Sequence, residues 1–357
     1  MHLVYIGQRG DKLGDIPTRD ASIDETYVIR AGKLRRYHGQ SLLKQLLDLP
    51  TLTKNVRDIF RVLIGTFESW RLLGKLRPDL IFIKGGFVGV PVGIAASRRH
   101  VPFITHDSDS VPGLANRLIA RWATIHAVAL PKTVYPYPLD KTVTVGVPVQ
   151  EQFKKVDEKL EQSYRKDLGI QEYKKVIFIT GGGQGAKKLN MMVMDIVPEL
   201  LRHYDDLVIV HVAGRKHDQS ISEHYSKTLS KPYLSRVMVK GYVEDLYKYS
   251  GAADVVIARA GATNIAEFAV QGKACIIVPN PLLTSGHQLK NAEILTNSGA
   301  VKLVTESKNS ARDLLSATTY LLNNPKERQM LEQKICTFAN PDSAKHLAEL
   351  IISSVQK

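Results

Sequence analysis

The sequence predicts an α/β protein of two doubly wound parallel sheets. Three observations carry that prediction. Short apolar runs bounded by glycine or polar residues alternate with longer segments of helical period, the signature of repeated βαβ units. Glycine-rich strand-to-helix turns occur in both halves, at 84–93 and 181–186. At 357 residues the chain is long enough for two hydrophobic cores. The halves are predicted over 1–148 and 149–338, with a last helical segment over 339–357. Such a pair implies a cleft faced by the carboxyl ends of both sets of strands, where open α/β sheets place ligands.

Residues 3–6 read as a strand, followed by the turn Gly7-Gln8-Arg9-Gly10. A second short strand, 27–29, leads into the basic loop 32–36. Over 42–76 the period is helical and reads as two helices, with Val56, Ile59, Phe60, Leu63, Phe67 and Trp70 recurring at steps of three and four. Ile64, Leu72 and Leu73 widen that stripe, and Lys54, Arg57, Arg61, Arg71, Lys75 and Arg77 flank it. Two placements fit: a helix packed on its own sheet with solvated basic residues, or one lying in the headgroup region of an anionic membrane.

Strand 80–83 runs into the turn Lys84-Gly85-Gly86-Phe87 and a helix through Ala96. The turn either brings backbone amides to a phosphate or only permits tight strand–helix packing. The next strand ends in His106, Asp107, Ser108 and Asp109, polar residues where α/β folds put their chemistry. A helix over 113–122 and strands over 127–130 and 143–145 follow, and Gly146-Val147-Pro148 reads as a hinge.

One helix within 151–175 precedes a strand at 176–180 and the turn Gly181-Gly182-Gly183-Gln184-Gly185-Ala186. This fits the loose dinucleotide fingerprint, which needs an acidic residue ending the next strand to hold a ribose. That strand, 207–212, ends in Ala213-Gly214-Arg215, which argues against NAD; the P-loop pattern is absent as well. Strands at 237–239, 255–257, 274–278 and 301–304 continue the alternation, and the helix over 343–355 opens after Asn340-Pro341-Asp342.

The 44% hydrophobic and 24% charged residues describe an ordinary globular chain. Forty-nine basic against 35 acidic residues give +14, which suits nucleic acid, anionic lipid or an anionic substrate. The basic residues are not interleaved with stacking aromatics, so nucleic acid is set aside. No apolar run approaches the roughly 18–20 residues that span a bilayer, and the first residues lack the pattern of a signal peptide. Cys275 and Cys336 make no disulfide framework, which fits a reducing cytoplasm. No metal-ligand spacing occurs, so metal-independent chemistry without a cofactor is expected.

The most informative stretch is 258–292, ARAGATNIAEFAVQGKACIIVPNPLLTSGHQLKNA. A helix tip after its glycine turn presents unpaired N–H groups and a positive dipole end, which suit a phosphate. Glu267, one turn in, either meets a hydroxyl of the phosphate's carrier or completes a capping box with Asn264. His287 and Gln288 offer sugar contacts or form an exposed loop. The expected ligand is a nucleotide sugar.

These residues resemble the MurG family of bacterial peptidoglycan transferases. The matching motifs are KGGFVGVPVGIAA (84–96), HDSDSVPGLANRLIARWA (106–123), GGGQGAKKLN (181–190), RAGATNIAE (259–267), GHQLKNA (286–292) and NPDSAKHLAELI (340–351). The resemblance spans essentially the whole chain. It implies a GT-B fold whose last helix crosses back to the first domain. It also implies inverting transfer of GlcNAc from UDP-GlcNAc to lipid I, the lipid-linked muramyl-pentapeptide, at the cytoplasmic face of the plasma membrane. Donor contacts then fall to Gly183, Val243, Ala262, Thr263, Asn264, Glu267, His287 and Gln288. Acceptor contacts fall to Gly85, Gly86, Phe87, Asp109 and Asn116, and membrane contacts to Ile59, Phe60, Leu63, Phe67 and Trp70.

Some positions depart from the family. Gly183 and Gln150 stand where Ser and Arg are usual, and HDSD replaces the commoner HEQN. Family members begin with a strand and a GGTGGH-type loop whose His is the favoured base, whereas the first residues here match the family's second strand. A wrongly assigned start or a truncated gene is expected, with a central strand lacking and its neighbours' edges unpaired. In that case Asp107, His106 or Asp109 is left as the proton acceptor. A non-catalytic UDP-sugar-binding fragment and a transferase for another lipid are the alternatives.

Overall fold

The computed structural model describes residues 1–10, 20–33, 49–182, 185–283 and 286–355. Gly183 and parts of the expected 32–36 loop and 42–76 helix lie outside the described residues. The chain forms two compact units, Met1–Gly146 with Ser343–Lys357, and Val147–Asp342.

In the first unit β1 (Val4–Gln8) and β2 (Glu25–Ile29) pair in parallel as a two-stranded sheet. After α1 (Leu49–Leu76) come β3 (Ile81–Ile83), α2 (Gly89–Arg98), β4 (Phe103–Asp107), α3 (Leu114–Ile119), β5 (Ile125–Val128) and β6 (Thr142–Thr144). These four strands form a parallel sheet of order β3-β4-β5-β6. Strand β4 is buried throughout, as a central parallel strand must be. Among the described residues β1 pairs only with β2, and β3 only with β4. Ile6 of β1 and Ile81 of β3 nevertheless pack on one cluster built from Leu73, Ile83, Ala95, Ala96, Phe103 and Ile119. The first unit thus holds two sheets sharing a core.

Helix α1 departs from the first of the two placements, in which the apolar stripe packs on its own sheet. It is one helix over Leu49–Leu76, and it is turned inside out. Its inward face carries Asp58, Gly65, Ser69 and Leu73, while Ile59, Phe60, Leu63, Phe67 and Trp70 are exposed. Small residues decide this orientation. A Cβ on Gly65 would overlap the carbonyl of Arg30, and one on Gly32 would overlap the backbone of Asp58. Close backbone approach therefore fixes the polar face inward, and the apolar stripe is left outside.

The second unit contains α4 (Glu158–Asp167), β7 (Lys175–Thr180), α5 (Lys187–His203), β8 (Leu207–Val212), α6 (Asp218–Thr228) and β9 (Val237–Lys240). It continues through α7 (Leu246–Gly251), β10 (Val255–Ala258), α8 (Ala262–Gln271), β11 (Cys275–Ile277), α9 (His287–Asn297), β12 (Lys302–Leu303), α10 (Ser310–Asn323) and α11 (Pro325–Ile335). Its six parallel strands run β12-β11-β10-β7-β8-β9. Leu189, Ile196, Ile209 and Leu314 belong to one apolar cluster, and Phe178, Val210, Phe268 and Ile277 to another. Helix α12 (Ser343–Val355) belongs to the first unit, where Leu347 packs with Ile104, Ala127 and Val145.

Candidate active site

The strand order of the second unit locates its ligand site. From β7 the chain winds outward through β8 and β9, then returns to β10 on the other flank. The switch point therefore lies between β7 and β10, whose ends stand side by side with Thr180 opposite Ala258. Ligands of open α/β sheets bind at such a point, beyond the carboxyl ends of the strands.

Helix α8 opens there. Its N-cap is Gly261, and no side chain caps it, unlike α4, where Asp157 takes the N–H of Leu160 at 2.8 Å. The amides of Ala262, Thr263 and Asn264 head an uncapped helix with its dipole aimed outward. With Gly261 as N-cap, Glu267 lies beyond the reach of a capping box, so that alternative is set aside. Among the described residues Glu267 has no hydrogen-bond or ion-pair partner, and burial pushes its carboxyl up to about 7. A half-buried carboxylate without a partner is costly unless something supplies donors to it.

The tip of α9 is tied to the same turn. Asn291 Nδ2 donates to the carbonyl of Ala260 at 3.1 Å, one residue before the α8 cap. Gly286 caps α9 with φ of 62°, which glycine adopts without strain. Gln288 is buried, and its Oε1 accepts the N–H of Asn280 at 2.9 Å, leaving its amide nitrogen as the end that can reach a ligand. His287 stands at the helix start, half-buried. Val243 follows β9, its side chain in the core. Gly185, with φ of 71°, packs against the carbonyl of Ala213, to which Asn190 Nδ2 also donates at 2.9 Å.

In the first unit the candidate residues meet beyond β4. Gly85 and Gly86 have φ of 103° and 83°, which lets the chain turn out of β3 toward Phe87. Asn116 Nδ2 donates to His106 O at 2.9 Å and to Asp107 Oδ1 at 3.0 Å, and its own Oδ1 is buried without a partner. Asp107 Oδ1 also accepts the N–H of Gly113 at 3.0 Å, and Oδ2 accepts the hydroxyl of Tyr137 at 2.8 Å. Burial pushes the Asp107 carboxyl up, and these bonds oppose the shift. His106 is held on both ring nitrogens, by Gly146 O at 3.0 Å and Ser108 Oγ at 3.4 Å, and burial lowers its affinity for a proton. Both the Asp107 carboxyl and the His106 imidazole are buried and held by these bonds. Asp109 is half-buried in the loop that follows.

Three residues that sequence reasoning passed over support these groups. Tyr137 closes the Asp107 network and stacks on His126 at 3.9 Å, and His126 in turn bonds Thr105 at 2.8 Å. No local signal marks this, since Tyr137 lies 30 residues beyond Asp107. Glu306, three residues after β12, carries the third such role and contacts Arg259 and Lys188.

Family models match both units. Residues 25–128 match the glycosyltransferase family 28 N-terminal domain, and residues 176–347 match the family 28 C-terminal domain. Fold and matched segments together define a family 28 glycosyltransferase of the GT-B fold class, with two Rossmann-like units. A protein of Clostridium perfringens is 32% identical over 94% of this chain and 86% of its own. One of Natranaerobius thermophilus is 29% identical over 99% of this chain and 91% of its own. Both bear the name UDP-N-acetylglucosamine–N-acetylmuramyl-(pentapeptide) pyrophosphoryl-undecaprenol N-acetylglucosamine transferase. The crystal structure of Acinetobacter baumannii MurG has the same fold, with a TM-score of 0.69 at 24% identity, covering 99% of this chain and 91% of that one. The chain belongs to the MurG family.

Proposed function

We propose that this chain transfers GlcNAc from UDP-GlcNAc to lipid I, the undecaprenyl-diphosphate-linked muramyl-pentapeptide. The observation that carries the reading is the uncapped tip of α8 at the switch point, with the unpaired carboxyl of Glu267 one turn behind it. The amides of Ala262, Thr263 and Asn264 take the diphosphate, and Glu267 accepts from the ribose hydroxyls. The backbone at Val243 meets the uracil edge, and His287 with the amide nitrogen of Gln288 meets the GlcNAc hydroxyls. The acceptor hydroxyl forms a bond to the anomeric carbon as the bond to the diphosphate oxygen breaks, with inversion, and its proton passes to water. The departing pair of electrons goes to UDP, where the helix tip stabilises the developing charge.

The turn at Gly85, Gly86 and Phe87, with Asn116 and the Asp109 loop, serves the acceptor diphosphate. Asp107 acts there as a positioning residue: it holds Gly113, Asn116 and Tyr137 in place and does not take the proton.

The acceptor is membrane-anchored, and α1 suits a peripheral membrane contact. Phe60 and Leu63 are each 61% exposed and Phe67 57%, far more than a core-facing stripe allows. Arg71 lies over the Phe67 ring at 5.6 Å and Arg99 over Trp70 at 4.0 Å, so cations border the apolar face as anionic headgroups require. Among the described residues no helix is long and apolar enough to cross a membrane.

The test is incubation of the chain with UDP-GlcNAc and lipid I. Formation of the disaccharide lipid with matching UDP release supports the reading, and absence of both contradicts it.

A further inference from the structure

We propose that Lys188, paired with Glu306, is an additional contact to the donor diphosphate and exchanges that carboxylate for the phosphates when the donor binds. The proposal rests on the donor-site reading above.

The Glu306 side chain is 2% exposed, with Oε2 2.9 Å from Lys188 Nζ and Oε1 2.6 Å from Arg259 Nη1. The Arg259 contact is ionic without hydrogen-bond alignment, for Oε1 accepts no hydrogen bond. The two cations are not equivalent. Arg259 is 6% exposed, follows β10 directly, and spends Nη1 on the carbonyl of Val278 at 2.9 Å. It cannot leave without stranding a buried carboxylate, which is strongly unfavourable. Lys188 is 57% exposed. A pair solvated on one side holds weakly, and Arg259 continues to neutralise Glu306 when Lys188 departs. Lys188 is therefore the cation of the pair that can be exchanged.

Its place in the fold gives that exchange a destination. Lys188 is the second residue of α5, which follows β7, and α8 follows the adjacent β10. Neighbouring strands lie about 4.8 Å apart, so both helices open beside the same switch point. The Lys188 ammonium reaches Glu306, which also touches Arg259, two residues before the α8 cap, and the flexible four-carbon stem of lysine lets it turn from there toward the tip. There is also a charge to be met. A helix tip offers about half a positive charge, whereas a nucleotide diphosphate carries more than one negative charge. Glu306 keeps the ammonium at this edge without requiring it to stay.

Calorimetric titration of the full chain with UDP and with uridine tests the proposal. K188A is expected to weaken UDP roughly tenfold, as loss of one charge-assisted contact does, and to leave uridine unchanged. K188R is expected to recover most of the loss. E306Q, which removes the competing carboxylate charge, is expected to bind UDP at least as tightly as the parent. Equal weakening of UDP and uridine by K188A, or no weakening of either, would overturn the role of Lys188 while the donor site stands. No uptake of UDP by the parent chain would overturn both readings.

Discussion

Asn291 Nδ2 donates to the carbonyl oxygen of Ala260 at 3.1 Å and so fastens the tip of one helix to the turn that launches another. The link joins the two halves of the proposed donor site, residues 259–267 and 286–292, across the intervening strand β11. Replacing Asn291 with alanine leaves that carbonyl unsatisfied in a buried place, at a cost of about 1–3 kcal/mol. The expected outcome is a lower melting temperature together with a several-fold rise in KM for UDP-GlcNAc. A fall in melting temperature with KM unchanged would make the link structural only.

Glu267 carries a pH prediction of definite sign. Its folded carboxyl titrates at about 7 against an ordinary 4.5, so between those values the folded chain holds more protons than the unfolded one. Stability must then fall as pH rises through that window, and the penalty is complete above about pH 7. E267Q removes the penalty. In the absence of ligand its advantage in melting temperature should grow from pH 4.5 to 7 and then level off. Binding runs the other way, because the ribose contact needs the ionised group. UDP affinity of the parent should rise about tenfold between about pH 6 and about pH 8. E267Q should bind UDP weakly at both. A parent affinity that is flat in pH would contradict the assignment.

Asp107 and Tyr137 separate positioning from proton transfer. With Asp107 as an anchor, Y137F and D107N should raise KM for lipid I and lower kcat by less than about a hundredfold, leaving the pH profile of kcat in place. A collapse of kcat by D107N at unchanged KM would instead make Asp107 the base.

The exposed face of α1 predicts a separation of membrane binding from donor binding. F60E and F67E should each weaken binding to anionic vesicles by about tenfold, the equivalent of one buried aromatic side chain, and leave UDP titrations unchanged. Vesicle binding that survives both substitutions would remove α1 from the membrane contact.

The sequence made the architecture legible because strand period and glycine turns are local signals. Residues 176–180 and 255–257 read as strands and form β7 and β10 at the centre of the second sheet. The orientation of α1 was not legible in the same way. Periodicity identifies an apolar stripe at Phe60, Leu63 and Phe67 but not which side faces inward, and that choice fell to Gly65, Ser69 and the backbone of Arg30. The apparent capping box at Asn264 and Glu267 dissolved because the helix starts at Ala262 with Gly261 as its cap, three residues before Asn264, a shift that spacing cannot decide. The hydrogen-bond network around Asp107 was not legible because its partners Asn116 and Tyr137 come from other segments. Glu306 gave no signal, since a lone carboxylate after a strand acquires meaning only when Arg259 and Lys188 arrive beside it.

In the proposed function the tip of α8 grips the diphosphate of a UDP-sugar. Amide hydrogen exchange on the full chain, with and without saturating UDP-GlcNAc, measures it most directly. Slowed exchange is expected at 262–264 and at the start of α9. Unchanged exchange at 262–264 under saturating donor would contradict it.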